Sequence, residues 1–182
     1  MVDFTGGITE LYDLKADDCP KDLMTIMMKA YQRHSMMGCS IEPDPHVTEA
    51  RMDCGLVRGH AYSITKAIKA QIETPRASGR IPLLRIRNPW GNETEWNGAW
   101  SDRSAEWQFI PDEEKENIGL TFEADGEYLL FTNLKKGHFF KEFSKSCIAC
   151  GGLESCRSNE VVSKVSFALL MLSYENCTKS TY

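Results

Sequence analysis

Gly59-His60-Ala61-Tyr62-Ser63-Ile64-Thr65 and Arg85-Ile86-Arg87-Asn88-Pro89-Trp90-Gly91 decide how this chain is read. In each run a polar side chain able to hold or pass a proton borders an alternating, strand-like stretch. Leu84 and Ile86 alternate with Arg85 and Arg87, the pattern of a half-buried strand. Asn88-Pro89-Trp90-Gly91 closes that strand in a turn. Residues 56–64 read as a second strand, with His60 partway along it. Asn88 follows His60 by 28 positions. Two antiparallel neighbours, joined by a polar loop over residues 66–79, would bring the pair together. An imidazole oriented by a carboxamide suits a reaction in which a thiol must give up its proton. Asn88 would accept the ring N–H and fix the tautomer. Trp90 would cover that hydrogen bond from water.

Outward from this pair, residues 4–12 read as a turn and a short strand. Pro20 suits the start of a helix whose Leu23, Ile26, Met27, Ala30 and Tyr31 line one apolar face. Gly38 is its expected stop. Cys39-Ser40-Ile41 begins an extended stretch, Pro43 and Pro45 break it, and residues 44–54 read as a loop. Pro111 opens another helix, with Asp112, Glu113 and Glu114 at the positive end of its dipole. Residues 161–172 read as a small amphipathic helix. Trp90, Trp96, Trp100 and Trp107 fall close together; such side chains suit a site wall or an aromatic core.

The chain of 182 residues is long enough for one domain, or one domain with a tail. Its 21 basic and 26 acidic residues leave a net charge of -5, which disfavours a general nucleic-acid binder. No run approaches the roughly 20 apolar residues of a spanning helix, so no membrane-spanning segment is expected. Met1 and the residues after it lack a basic, then apolar, leader pattern. The seven scattered cysteines therefore read as reduced thiols of a cytoplasmic protein.

Several runs, in order from Asp3 to Glu127, resemble the calpains, calcium-dependent cysteine endopeptidases with a papain-like fold. They are Asp3-Phe4-Thr5-Gly6-Gly7, Gly38-Cys39-Ser40-Ile41, Gly59-His60-Ala61-Tyr62-Ser63, Arg87-Asn88-Pro89-Trp90-Gly91, Glu95-Trp96-Asn97-Gly98-Ala99-Trp100-Ser101-Asp102 and Asp125-Gly126-Glu127. The similarity is to the second subdomain of the protease core. It implies an α+β fold, an antiparallel, barrel-like sheet with flanking helices that forms the second half of a papain-like core. It implies that His60 is the catalytic base, Asn88 its orienting partner, and Trp90 a cleft residue whose position matters for activation. It also implies a calcium site made by Glu95, Asp102, Asp125 and Glu127 with the backbone carbonyl of Glu123. Such a set suits calcium, which takes about six to eight hard oxygens. Asn92-Glu93-Thr94 is one residue longer than the family's usual spacing here, which leaves Glu93 as an alternative to Glu95.

A papain-like nucleophile lies in a Gly-x-Cys-Trp setting well upstream of the histidine. No cysteine here precedes a tryptophan, and Cys39 reads as a small buried hydrophobe. The expectation is half of a protease: residues 1–143 supply base and orienter, and a Cys-bearing subdomain is the missing partner. Protein or peptide would be the substrate, and the chain alone would not cleave it. The alternative is a truncated, non-catalytic calpain-like module that binds calcium or protein. Residues 144–182 stand as an unassigned Cys-containing tail. Their Cys147-Ile148-Ala149-Cys150, with Cys156, falls short of the paired spacing that a zinc site needs.

Overall fold

A long hairpin organises the molecule: β3 (Ala61–Glu73) pairs antiparallel with β4 (Ser78–Arg87) from Ser63↔Arg87 to Glu73↔Ser78. The structure is a computed structural model and describes residues 8–14, 16–75, 78–91, 96–123, 125–131 and 167–173. Around the hairpin lie β1 (Ile8–Asp13), β2 (Met36–Ile41), β5 (Glu127–Phe131) and β6 (Phe167–Ser173). Among the described residues these six strands form one sheet in the order β1-β6-β2-β3-β4-β5, antiparallel throughout. Helices α1 (Leu23–Gln32) and α2 (Asp112–Ile118) pack against it, with a short 3-10 helix at Ala105–Phe109. The fold is α+β, the second half of a papain-like core. No helix among the described residues is long and apolar enough to cross a membrane.

Successive side chains of a strand point to opposite faces, and the sheet buries both. Leu84 and Ile86 of β4 join Tyr62, Ile64 and Ala67 of β3, Tyr128 of β5, and Leu23 and Met27 of α1 in one core. Ile81 and Leu83 point the other way, into a second core with Ala70, Leu129, Trp100, Trp107, Ile110 and Ile118. A β-bulge keeps β3 in phase with both. Ile64 stands opposite Ile86 and Lys66 opposite Arg85, so Thr65 is the extra residue. Ala67, not Lys66, then follows Ile64 into the first core.

Four expectations need correction. The strand expected over residues 56–64 begins only at Ala61, so His60 stands at its mouth and not within it. The loop expected over residues 66–79 is mostly strand, because Ala67 and Ala70 bury a face with little hydrophobic signal. Gly38 does not stop α1; the helix ends by Arg33, and His34 takes the left-handed turn at φ 58°. Histidine is among the non-glycine residues enriched there. Gly38 instead lies within β2, where an added Cβ would press on the Tyr62 carbonyl at 3.2 Å. Finally, residues 167–172 of the helix expected over 161–172 belong to β6, held between β1 and β2, and residues 161–166 lie outside the described residues.

Candidate active site

His60 precedes β3 and Asn88 follows β4, so the paired strands bring their two mouths together. Gly59 makes the approach possible. It adopts φ +70°, and a Cβ there would meet that of Pro43 at 3.2 Å. Its N–H donates to the Ile41 carbonyl at 3.0 Å, which ties the start of β3 to the end of β2. Asn88 is pinned by its own N–H, which donates to the Gly126 carbonyl at 2.8 Å. The turn after it closes through Gly91 N–H to the Asn88 carbonyl at 3.0 Å.

His60 Nε2 lies 2.9 Å from Asn88 Oδ1. Both side chains are buried, Asn88 completely. The same Oδ1 accepts the Trp90 backbone N–H at 3.1 Å. An atom that receives a backbone N–H is an acceptor, so Nε2 carries the proton in its bond to Asn88. Nδ1 is then the ring nitrogen left for proton exchange, and it lies 3.0 Å from Glu49 Oε1. Trp90 covers the ring, centroid to centroid 4.4 Å at a 45° tilt. Tyr62 meets it edge-on at 4.9 Å. The Tyr62 hydroxyl accepts the Val57 N–H at 2.8 Å, and burial pushes its pKa up to about 12. The imidazole is thus held on both nitrogens and against two rings.

A family model described as "Calpain family cysteine protease" matches residues 1–150. The chain belongs to the calpain family. It is 59% identical over 139 residues to Calpain-A of Drosophila melanogaster, covering 76% of this chain and 16% of that protein. Calpain-B of the same organism is 57% identical over 139 residues, covering 76% of this chain and 15% of its own length. The calpain-1 catalytic subunit of Rattus norvegicus is 44% identical over 144 residues, covering 79% of this chain and 18% of that protein. The chain therefore spans less than a fifth of the length of these calpains.

Three cysteines of this calpain chain are described, Cys39 and Cys54 buried and Cys19 partly so. A nucleophilic thiol has a lowered pKa. Burial raises the thiols of Cys19, Cys39 and Cys54, with Asp18 and Asp13 adding to the effect at Cys19 and Cys39 reaching about 12. Both nitrogens of His60 face other partners, Asn88 and Glu49.

Of the five residues expected to hold calcium, Glu95 lies outside the described residues, as does Glu93. Asp102, Glu123 and Asp125 sit in two loops, and Glu127 begins β5. The Glu123 carbonyl accepts the Asp125 N–H at 2.8 Å, and Asp125 Oδ1 accepts the Glu127 N–H at 2.9 Å. Glu127 Oε1 accepts the Thr65 hydroxyl at 2.7 Å. Asp102 is half-buried in the turn after Trp100. Among the described residues no three His, Cys, Asp or Glu side chains gather in a cluster that could hold a metal ion. The donor chemistry, all hard oxygen, suits calcium, while Asp125 and Glu127 spend a carboxylate oxygen each on hydrogen bonds within the chain.

Two features escaped the sequence reading. Glu49 gave no signal, because a single acid in a polar loop is ordinary. The tryptophans divide: Trp90 lies against His60, whereas Trp100 and Trp107 meet edge-on at 5.0 Å in the second core. Trp96 is buried in the first core, donating its ring N–H to the Ala99 carbonyl at 2.7 Å.

Proposed function

We propose that this chain is the histidine-bearing lobe of a calpain-type cysteine endopeptidase, acting in the cytoplasm on protein or peptide substrates. His60 is its catalytic base, Asn88 the residue that orients the ring, and Trp90 the cover over their bond. The observation that carries this reading is the 2.9 Å contact between His60 Nε2 and Asn88 Oδ1, with the amide oriented by Trp90 N–H. It leaves Nδ1 as the base.

A Cys-bearing lobe supplies the thiol. Nδ1 takes the thiol proton, and the thiolate adds to the peptide carbonyl. Nδ1 returns that proton to the departing amine, which leaves a thioester. It then takes a proton from water, whose oxygen displaces the sulfur, and the thiol recovers the proton. Asn88 holds the ring in one orientation throughout. Calcium belongs to the same proposal, with Glu95, Asp102, Asp125, Glu127 and the Glu123 carbonyl as its donors. When bound, it would neutralise carboxylates that repel one another and order the loops that carry them.

The second reading, a non-catalytic calpain-like module that binds calcium or protein, draws support from the raised thiols of Cys19, Cys39 and Cys54. One experiment separates the two. The chain is mixed with a Cys-bearing calpain lobe, calcium and reductant, and cleavage of an unfolded protein is followed. Cleavage that disappears with His60→Ala supports the protease lobe. Cleavage untouched by that substitution, or none with any such lobe, leaves the binding module.

A further inference from the structure

We propose that Glu49 is a resident competitor for the base nitrogen of His60, a latch that must leave before a thiol can approach the ring. The proposal rests on the protease-lobe reading for its consequence, but not for its test. Glu49 Oε1 lies 3.0 Å from Nδ1, while Nε2 is committed to Asn88. A ring flanked by the Asn88 oxygen and a carboxylate is satisfied only with a proton on each side. Whether the proton between Nδ1 and Oε1 is closer to nitrogen or oxygen, the Nδ1 lone pair is engaged. In that state His60 cannot accept a proton from sulfur.

The loop that delivers the acid is built for the task. Residues 42–59 leave β2 and return to β3 through a closed neck, with Gly59 N–H on the Ile41 carbonyl at 3.0 Å and Arg58 N–H on the Ala50 carbonyl at 2.8 Å. Arg51 and Val57 form a β-bridge within it, and Met52 N–H donates to the Leu56 carbonyl at 2.8 Å. At its far side Asp44 Oδ1 accepts the N–H groups of His46 and Val47 at 2.9 and 3.2 Å. Glu49 adopts φ 53°, a conformation that residues with side chains seldom take. The Glu49 side chain is 43% exposed and that of His60 7%. The acid therefore reaches the buried ring from the solvent side. Two features together make this a latch: a well-tied neck, and a tip residue that pays backbone strain to make one contact.

The test reads the imidazole nitrogens of His60 by 15N NMR near neutral pH, in the full chain and in Glu49→Ala and Glu49→Asp. Alanine removes the carboxylate; aspartate keeps its charge but shortens its reach. In the unaltered chain the Nδ1 signal is expected to be displaced from the free-lone-pair position, as for a nitrogen that shares a proton with Glu49 Oε1. In both variants it should shift to the position of a free lone pair. The Nε2–H signal should persist in all three chains, which certifies that the His60–Asn88 pair is intact. A free lone pair on Nδ1 in the unaltered chain, or the same Nδ1 signal in all three, overturns the latch. Neither result touches the protease-lobe reading, which is judged by turnover with a Cys-bearing lobe.

Discussion

Lys66 stands opposite Arg85 across the β3–β4 ladder, two cations paired on adjacent strands. What reconciles them is the end of α2. Lys66 Nζ donates to the Ile118 carbonyl at 2.7 Å, Arg85 Nη2 donates to it at 3.1 Å, and Arg85 also reaches the Gly119 carbonyl. The last carbonyls of a helix lack partners within it and carry partial negative charge. Gly119, at φ 64°, ends the helix in the left-handed form that turns those carbonyls toward the sheet. From the other end of α2, Glu114 Oε1 accepts the Gln71 N–H at 3.0 Å.

This pairing gives a pH dependence of stability. Burial, and then the Arg85 charge, lower the Lys66 pKa below its usual 10.5. A lysine lowered in the folded state leaves the unfolded chain holding more protons between the two values. Stability attributable to Lys66 therefore rises as pH climbs through the lowered pKa toward 10.5. Melting temperatures of the chain and of Lys66→Met should draw together or cross in the chain's favour over that alkaline range, and run parallel near neutrality. A constant difference at every pH would contradict the assignment.

The Asn88 carboxamide should matter to turnover more than to folding state. In the enzyme reassembled with a Cys-bearing lobe, Asn88→Ala should lower kcat/KM by about a hundredfold or more, the usual scale for a mispositioned general base. Asn88→Asp should not restore it fully, because Trp90 N–H and His60 Nε2–H would then face a charge. Progress curves on a fluorogenic peptide measure both. Loss of less than threefold in both variants would argue that His60 keeps its orientation without the amide.

Gly59→Ala should destabilise the chain by about 1–3 kcal/mol, the scale of a strained backbone position. The left-handed φ disfavours a side chain, and Pro43 occupies the space a Cβ needs. Urea unfolding followed by tryptophan fluorescence measures it. Because Gly59 forms the neck of the loop that carries Glu49, the same variant should also disturb the His60 ring signals.

Calcium should raise the melting temperature. A ligand that binds only the folded state stabilises it by about 2.7 kcal/mol at a hundred times its dissociation constant. Asp125→Asn should shrink the shift. Superimposable melting curves in calcium and in chelator would remove Glu95, Asp102, Asp125, Glu127 and the Glu123 carbonyl as a ligand set in this chain.

Alkylation should follow burial. Cys39, buried and raised to about 12, should resist iodoacetamide at mildly alkaline pH, whereas the partly exposed Cys19 should react before it. Peptide mass spectrometry after timed labelling resolves the two. Early labelling of Cys39 would show that β2 opens readily.

Much of this arrangement was legible in the residues, and the failures are instructive. Leu84 and Ile86 announced β4, and Leu23 with Met27 announced α1, because each buries a periodic apolar stripe. β3 hid because the bulge at Thr65 breaks its alternation and alanines fill its inner positions. Gly38 misled because a glycine serves close backbone approach as readily as it ends a helix. The meeting of His60 and Asn88 could be anticipated from two flanking strands, but the Glu49 contact could not. That contact depends on a loop whose path is set by Gly59, Pro43 and a left-handed turn, none of which has a periodic signature.

The place of β6 carries a kinetic consequence. Ile8 pairs with Ser173 and Met36 with Leu172, so the ladder at one edge of the sheet joins the earliest described strand to the last. Such distant partners make loop closure costly and folding slow. During synthesis β1 and the outer edge of β2 must wait, with their hydrogen-bonding groups open, until Phe167–Ser173 emerges. In that interval a nascent chain is most exposed to wrong strand partners, and a chaperone would have its clearest work at those two waiting edges.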